Sequence, residues 1–251
     1  MNENIAHITI NRAEKRNAFT QSMWQQLAQY CDQLTDNQSC KVVVITATGN
    51  KAFSAGADIE ELTEIIKDEQ RLIKNNEVVQ QAQLKLQSLS MPTIAAINGV
   101  CVGGGLGIAL CCDFRLSVNY AEFAITPSKL GLLYSLEDTK RLVELVGLAR
   151  AKELLYLGQK ITAYQAEQWG LLYKLVNDET ELTQSVNGLV QKVLSVSAFS
   201  ITGIKSTLAF INDPHLQKET AIRGLFNQAF SNNDFIEGAN AFLEKRAPEF
   251  E

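Results

Sequence analysis

One stretch decides the fold: Thr93-Ile94-Ala95-Ala96-Ile97-Asn98-Gly99-Val100-Cys101-Val102-Gly103-Gly104-Gly105. Its first part, Thr93 to Asn98, is an apolar run that predicts a strand buried on both faces. The glycine run then opens an apolar helix that we expect to reach Cys112. Glycine here allows close packing of the helix on a strand. It also leaves N–H groups free at the positive end of the helix, where a developing anion is stabilised.

A second loop of small residues lies upstream and also follows a predicted buried strand, Val42 to Thr46. It reads Phe53-Ser54-Ala55-Gly56-Ala57-Asp58-Ile59. Small side chains and a glycine let a ligand approach the backbone closely. Asp58 is a suitable N-cap for the helix that follows. By itself, this loop is equally consistent with an ordinary turn from strand to helix.

Alternation and helical periodicity assign the elements around these loops. We predict strands at Ile5–Ile10, Phe114–Val118, Glu122–Ile125 and Tyr173–Val176. The first helix is predicted over Ala18 to Leu34, with its buried side formed by Trp24, Leu27, Tyr30 and Cys31.

The chain is predicted to be mostly helical from Asp138 onward. The first helix there stops at Gly147, and a later one begins with Thr162 as N-cap and ends with Gly170 as the residue after the helix. The remainder, Glu181 to Glu244, is broken at Asn212-Asp213-Pro214. We therefore expect an α/β core over residues 1–190 and a helical C-terminal region over residues 191–251.

Composition excludes several classes of protein. The 251 residues are 46% hydrophobic and 20% charged, with a formal net charge of -5, so a large core is expected and a nucleic-acid binder is not. Five cysteines without a C-x-x-C pair indicate neither a disulfide framework nor a zinc site. Met1-Asn2-Glu3-Asn4 lacks the basic and apolar regions of a signal peptide, and no apolar run approaches about 18 residues, so we expect neither a signal peptide nor a membrane span. We expect a cytoplasmic protein without metal or membrane attachment.

The two loops together resemble the enoyl-CoA hydratase/isomerase (crotonase) superfamily, and the resemblance covers nearly the whole chain. Its motifs are Ile10-Asn11-Arg12-Ala13-Glu14-Lys15-Arg16-Asn17-Ala18, Phe53–Ile59, Pro92–Gly99, Gly103–Gly105, Asp234–Gly238 and Ala241–Arg246. The resemblance implies an α/β fold, a crotonase-like spiral of β-β-α units with a helical C-terminal extension. It also implies a homo-oligomer, either a trimer or a dimer of trimers.

The family resemblance further implies an acyl-CoA substrate, with no cofactor beyond the coenzyme A that the substrate carries. By position, the backbone N–H groups of Ala57 and Gly104 form an oxyanion hole for the thioester carbonyl. Contacts to coenzyme A map onto two sets of residues: Lys15, Arg16, Ala55, Ala57, Asp58 and Ile59, and, from a neighbouring subunit, Phe226 and Lys245. Lys245 is equally consistent with a solvated surface lysine.

The chain departs from the family pattern at the acid/base positions. Alignment places Gly107 and Pro127 at the two glutamate positions of hydratases, and Ser135 at a carboxylate position used by some isomerases. The nearest acids are Glu137 and Asp138, our acid/base candidates, although Asp138 also reads as a helix N-cap. Each positioned acid/base is worth roughly 100- to 10,000-fold, so two-carboxylate hydration is not supported.

Several functions remain open at this stage. Tyr134 and Ser135 are alternatives that could hold a water or a substrate hydroxyl. Single-base isomerisation fits the residues better than hydration, and decarboxylation or thioester cleavage could use the same oxyanion hole. The rival from another class is an acyl-CoA-binding protein that has lost turnover. A serine–histidine hydrolase is disfavoured, because His7 and His215 are the only histidines and no G-x-S-x-G motif occurs.

Overall fold

Two sheets carry the strands in the computed structural model, which describes residues 4–213 and 219–250. The strands are β1 (Ile5–Ile10), β2 (Val42–Ala47), β3 (Ala52–Ser54), β4 (Thr93–Ile97), β5 (Val100–Val102), β6 (Phe114–Val118), β7 (Glu122–Ala124), β8 (Ile161–Thr162) and β9 (Lys174–Val176). The first sheet has the order β1-β2-β4-β6-β9 and is parallel throughout. The second has the order β3-β5-β7-β8, and only β8 is antiparallel to its neighbour.

A repeated β-β-α unit explains this topology. The first strand of each unit (β2, β4 and β6) joins the larger sheet, and the second (β3, β5 and β7) joins the smaller sheet. A helix then returns the chain to the start of the next unit. The crotonase-like spiral expected from the sequence is therefore confirmed. The strands β3, β5 and β8 were not predicted; β3 and β5 are three-residue segments within the two glycine-containing loops.

Ten α-helices lie between and after these strands in the described part of the chain, and the last ends at Glu244. They are α1 (Gln21–Asp36), α2 (Ile59–Ile65), α3 (Glu69–Gln87), α4 (Gly104–Cys111), α5 (Leu136–Leu157), α6 (Ala163–Gln168), α7 (Glu179–Leu194), α8 (Ala198–Asn212), α9 (Glu219–Ala229) and α10 (Asn233–Glu244). The predicted domain boundary at residue 190 lies within α7, and the division into domains stays a prediction. The predicted break after Asn212 coincides with the end of α8, whereas Pro214 lies outside the described residues.

The structure shows which side chains cap the N-termini of the helices. Asp58 caps α2 by accepting the Glu61 N–H at 3.0 Å, and Thr162 caps α6 in a capping box, so both predictions are confirmed. The predicted N-cap role of Asp138 is wrong. Ser135 caps α5, because its hydroxyl accepts the Asp138 N–H at 3.0 Å and the helix begins at Leu136. The side chain of Asp138 is thereby left available for other contacts.

Two corrections concern α1. The helix begins at Gln21 because Thr20 is its N-cap and Phe19 pairs with Ala57 as an isolated bridge. Trp24, Leu27 and Cys31 are buried as predicted. Tyr30 is 47% exposed, so its prediction as a core residue is wrong.

Candidate functional site

The two glycine-containing loops lie against each other. A Cβ atom built on Gly56 would lie 3.0 Å from the Val102 carbonyl oxygen and 3.4 Å from the Gly104 nitrogen. A Cβ on Gly105 would lie only 2.5 Å from the Cβ of Ser54. Real Cβ atoms do not approach this closely, so glycine is required for the loops to meet. Close packing, one of the two roles considered for the glycine run, is thus shown for Gly105.

Phe19 and Ala57 form an isolated parallel bridge in which the Ala57 N–H is not used by any described residue. The Phe19 N–H donates to the Gly56 carbonyl at 2.7 Å, and the Asp58 N–H donates to the Phe19 carbonyl at 2.9 Å. The intervening Ala57 N–H therefore faces the other side of the chain. Among the residues that the structure describes, it donates no hydrogen bond.

The N–H group of Gly104 is similarly available. Gly104 is the first residue of α4, and the first N–H groups of a helix have no partner within it. No described residue accepts a hydrogen bond from this group. The helix that follows is buried from Gly105 to Cys111, and its positive end lies against Gly56, the residue before Ala57. Two unused backbone donors on adjacent loops can hold one oxyanion.

Asp138 fills the space in front of Gly107. Its carboxylate is 4% exposed and accepts hydrogen bonds from the Gln83 amide at 3.1 Å and the Arg141 guanidinium at 2.9 Å. A Cβ on Gly107 would lie 3.0 and 3.1 Å from the two Asp138 oxygens and 2.5 Å from the Gln83 nitrogen. No side chain fits at position 107 in this arrangement. A carboxylate from α5 thus occupies the space that a residue at 107 would otherwise use.

Burial controls the ionisation of this carboxylate. Desolvation raises the pKa of Asp138 above 3.8, and the Arg141 charge opposes that shift only in part. The pKa of Asp138 is therefore raised overall, so Asp138 holds a proton more readily than a solvated aspartate does. A carboxyl group whose pKa is raised in this way suits an acid/base role.

Glu137, the other candidate acid, lies in a different environment. Its carboxylate accepts a hydrogen bond from the Gln80 amide at 2.6 Å on the exposed side of α3. No described contact joins it to Gly107 or to the two loops. Ser135 is exposed and is used as the helix cap, and Tyr134 donates its hydroxyl to the Gly103 carbonyl at 3.2 Å.

Two polar residues of this cluster were missed in the sequence. Gln83 lies on the buried face of α3, inside a long polar helix in which nothing distinguishes it from the other glutamines. Arg141 lies three residues after Asp138, a spacing that places both side chains on one helical face and could have suggested the pair. His7 lies on β1, and His215 lies outside the described residues.

The basic loop predicted to contact coenzyme A lies beside the Ala55–Ile59 loop. Lys15 pairs with Glu60 at 3.0 Å, and the Ala55 N–H donates to the Arg16 carbonyl at 2.9 Å. The Arg16 side chain is exposed, and Ile59 is 55% exposed. The predicted contact residues around this loop are therefore close together.

Asp58 uses its carboxylate inside the protein. It is 7% exposed and forms an ion pair with Arg12 at 2.5 Å, in addition to capping α2. Arg12 was not among the predicted site residues. A contact from Asp58 to a ligand would therefore have to use its backbone, since both carboxylate oxygens are engaged.

This ion pair predicts a loss of stability in acid. The Glu61 N–H and the Arg12 guanidinium lower the pKa of Asp58 below 3.8. The stabilisation is therefore complete above about pH 4 and is lost as the pH falls through the lower, folded-state pKa. We expect Asp58→Asn to cost roughly 1.5–3 kcal/mol at pH 7 and much less at pH 2. Urea unfolding at both pH values measures this, with Asp36→Asn as the surface control; an equal loss at both would contradict it.

The other predicted coenzyme A contacts, Phe226 and Lys245, lie on the C-terminal helices. Phe226 is 69% exposed and packs edge-on against Phe230, with ring centres 5.4 Å apart. Lys245 ends α10 in a left-handed conformation. No described hydrogen bond, ion pair or ring contact joins either residue to the Ala55–Ile59 loop of the same chain. This is compatible with the expectation that they act on a neighbouring subunit.

A cavity of about 710 Å³ lies elsewhere, between β1 and α1. Its lining includes Ile10, Arg12 and Phe19 but not Ala57, Gly104 or Asp138. Despite its size, this cavity contains neither the two unused backbone donors nor the buried carboxylate. In the part of the chain that is described, no single helix is long and apolar enough to cross a membrane. Only α7 and α8 taken together have the necessary length and apolar composition, and they are bent by 101° relative to each other.

Comparison with known proteins gives a consistent result. A sequence model of the enoyl-CoA hydratase/isomerase family matches residues 1–251. The chain is 32% identical over 244 residues to the 2,3-dehydroadipyl-CoA hydratase of Escherichia coli, covering 97% of this chain and 93% of that one. It is 31% identical over 249 residues to the crotonyl-CoA hydratase of Syntrophomonas wolfei, covering 99% and 95%. The crystal structure of an enoyl-CoA hydratase/carnithine racemase from Magnetospirillum magneticum superposes with a TM-score of 0.93 at 29% identity, covering 99% and 92%.

Proposed function

The chain belongs to the enoyl-CoA hydratase/isomerase family, and from that premise we propose that it moves the double bond of an enoyl-CoA thioester with Asp138 as its single acid/base. The observation that carries this proposal is the position of the Asp138 carboxylate against Gly107. The Asp138 carboxylate is buried against Gly107, on the same short helix as Gly104, whereas the Glu137 carboxylate is bonded to Gln80 on the exposed side of α3.

The thioester would bind with its carbonyl oxygen between the N–H groups of Ala57 and Gly104. Removal of a proton from C2 of a 3-enoyl-CoA turns the thioester into a dienolate, whose negative charge rests largely on that oxygen. Each preorganised backbone donor typically stabilises such charge by roughly 3 kcal/mol. The hole therefore acts on the intermediate more strongly than on the substrate, as catalysis requires.

Asp138 would carry the proton between the two carbon atoms. In its ionised form it takes the proton from C2, and in its protonated form it returns the proton to C4. The double bond thereby moves from C3–C4 to C2–C3, and the enzyme ends in its starting state. One group suffices because the same proton is removed and replaced. The raised pKa of Asp138 favours the return step.

Hydration in this family uses two carboxylates, and these residues supply only one. In hydratases of the family, two carboxylates hold and activate one water molecule. Here Pro127 stands at the second of those positions, at the start of a short 3₁₀ turn, and offers no ionisable group. Asp138 alone would have to activate the water and protonate the carbon. Isomerisation is accordingly the reaction that we propose.

A second candidate function is acyl-CoA binding without turnover. The hydrogen bonds of Asp138 favour it, because one carboxylate oxygen accepts from Arg141 at 2.9 Å and the other from Gln83 at 3.1 Å, so both are already engaged. The two proposals share the binding site and differ only in whether a product forms.

Binding is the first property to test. We expect isothermal titration calorimetry to detect micromolar binding of coenzyme A and crotonyl-CoA to the purified protein. Lys15→Ala should weaken that binding several-fold by removing a phosphate contact, whereas Lys41→Ala, an unrelated surface lysine, should leave it unchanged. Absence of binding by either compound would contradict both candidate functions.

Self-association is also proposed, as a trimer or a dimer of trimers. The C-terminal helices carry large apolar side chains that are exposed in the single chain. They include Ile204, Leu208, Ile211, Phe226, Phe230, Phe235, Ile236, Phe242 and Leu243. A concentration of exposed large apolar side chains in one part of a chain is typical of an interface.

We expect light scattering at micromolar concentration to give three or six times the mass of one chain. Leu208→Glu should dissociate the assembly if this face is buried between subunits, since it would bury an unpaired charge. Glu144→Gln, on α5, serves as the control. A monomeric wild-type protein would contradict the proposal.

A further inference from the structure

Tyr134 is the one tyrosine whose hydroxyl contacts the glycine-rich loop within the described residues. Its hydroxyl donates to the Gly103 carbonyl oxygen at 3.2 Å. The same oxygen accepts the Gly107 N–H at 3.0 Å, which is the first hydrogen bond of α4. The Gly103 carbonyl is thus held by two donors, one from the helix and one from a side chain that precedes α5.

The Gly103 carbonyl and the Gly104 N–H are the two ends of a single peptide group. A hydrogen bond to the oxygen of a peptide withdraws electron density from its nitrogen and makes the N–H a stronger donor. We propose that Tyr134 is a positioning residue of the oxyanion hole, which orients and polarises the Gly103–Gly104 peptide so that the Gly104 N–H binds the thioester oxygen more strongly. This inference rests on the proposed function, because it presupposes that Gly104 is an oxyanion donor.

The surroundings of Tyr134 support this role. The neighbouring Leu132 and Leu133 are 49% and 95% exposed, whereas the Tyr134 hydroxyl reaches into the interior. Burial and the nearby Asp138 charge raise the pKa of Tyr134 well above 10. The phenol therefore stays protonated and remains a donor throughout the working range of pH. Ser135, the next residue, caps α5 and so sets where the helix begins after Tyr134.

The expected size of the effect follows from two general magnitudes. One oxyanion-hole donor is worth roughly 100- to 1,000-fold in kcat. A hydrogen bond strengthens the next one in a chain by roughly 10–30%. If removing the Tyr134 hydroxyl costs about 10–30% of the free energy that the Gly104 donor contributes, kcat should fall by roughly 2- to 8-fold. Binding of free coenzyme A should not change, because it has no thioester carbonyl.

The test uses Tyr134→Phe, which keeps the ring and removes only the hydroxyl. The probe is 2,4-hexadienoyl-CoA, whose ultraviolet absorption band moves to longer wavelength when its carbonyl is polarised. We expect the wild-type protein to shift the band, Tyr134→Phe to shift it less, and Tyr120→Phe, an exposed control near Glu179, to match the wild type. The affinity for free coenzyme A should be equal in all three.

Three results would overturn the inference, and they are distinguishable. A band that does not move even in the wild-type protein overturns the proposed oxyanion hole and this inference with it. A wild-type shift that persists in full in Tyr134→Phe overturns this inference alone. A Tyr134→Phe protein that loses affinity for free coenzyme A also overturns it, because the residue would then support the fold of the site in general.

Discussion

Asp138→Asn is expected to lower the turnover of a 3-enoyl-CoA by at least about 100-fold, because a positioned acid/base contributes roughly 100- to 10,000-fold. The affinity for coenzyme A should stay the same, since Asp138 faces Gly107 and not the Ala55–Ile59 loop. In the wild-type protein, kcat/KM should fall in acid as the buried carboxyl becomes protonated, with a pKa above 3.8. Steady-state kinetics and calorimetry on the same preparations measure these quantities.

The controls for this variant address folding and identity. Asp138→Asn leaves Arg141 buried without its charged partner, although Gln87 still accepts from its Nε at 2.9 Å. Such a loss typically costs roughly 3–5 kcal/mol of stability, so activity must be measured well below the unfolding temperature. Glu137→Gln, at the adjacent position, should retain wild-type turnover because its carboxylate is bonded to Gln80 on the outside of α3. If Glu137→Gln lost the activity and Asp138→Asn kept it, the assignment would be reversed.

Gly104→Pro is expected to lower kcat by roughly 100- to 1,000-fold, the usual effect of deleting one oxyanion-hole donor. Gly104 is the first residue of α4, the helical position at which proline is best tolerated, because its N–H is not needed for the helix. The substitution therefore removes a single donor with little direct damage to the helix. KM should change much less than kcat, since the donor acts mainly on the charged intermediate.

The matched control is Gly104→Ala, which keeps the N–H. Its Cβ would lie 3.2 Å from the Trp24 ring, so a small adjustment and a modest loss of stability are expected. Its turnover should remain near that of the wild type. Equal losses in the alanine and proline variants would mean that crowding against Trp24, and not the missing donor, causes the effect.

Local sequence signals were sufficient for the elements that carry the proposed oxyanion hole. The apolar runs at Val42 and Thr93 gave buried parallel strands, and the glycine run gave the start of α4. Family motifs located Ala57 and Gly104, and the two loops do lie against each other. These features follow from short stretches of chain in which periodicity, glycine and cap residues agree.

Contacts between distant segments were beyond such signals. Gly107 reads as a vacant acid position, and only the folded chain places the Asp138 carboxylate and the Gln83 amide in that space. The choice between Ser135 and Asp138 as the cap of α5 also depended on the backbone, because both residue types are good caps. Tyr134 could not be connected to Gly103 by sequence, since the hydrogen bond joins different β-β-α units.

We expect one buried carboxylate, together with the proposed oxyanion hole, to move a double bond without adding water. The most direct test compares two reactions of the wild-type protein: conversion of 3-hexenoyl-CoA to the conjugated 2-enoyl-CoA, and hydration of crotonyl-CoA. We expect isomerisation at an ordinary enzymatic rate, on the order of 10 s⁻¹, and hydration at least about 100-fold slower. Hydration of crotonyl-CoA at about 10 s⁻¹ or more, with no isomerisation, would contradict the account.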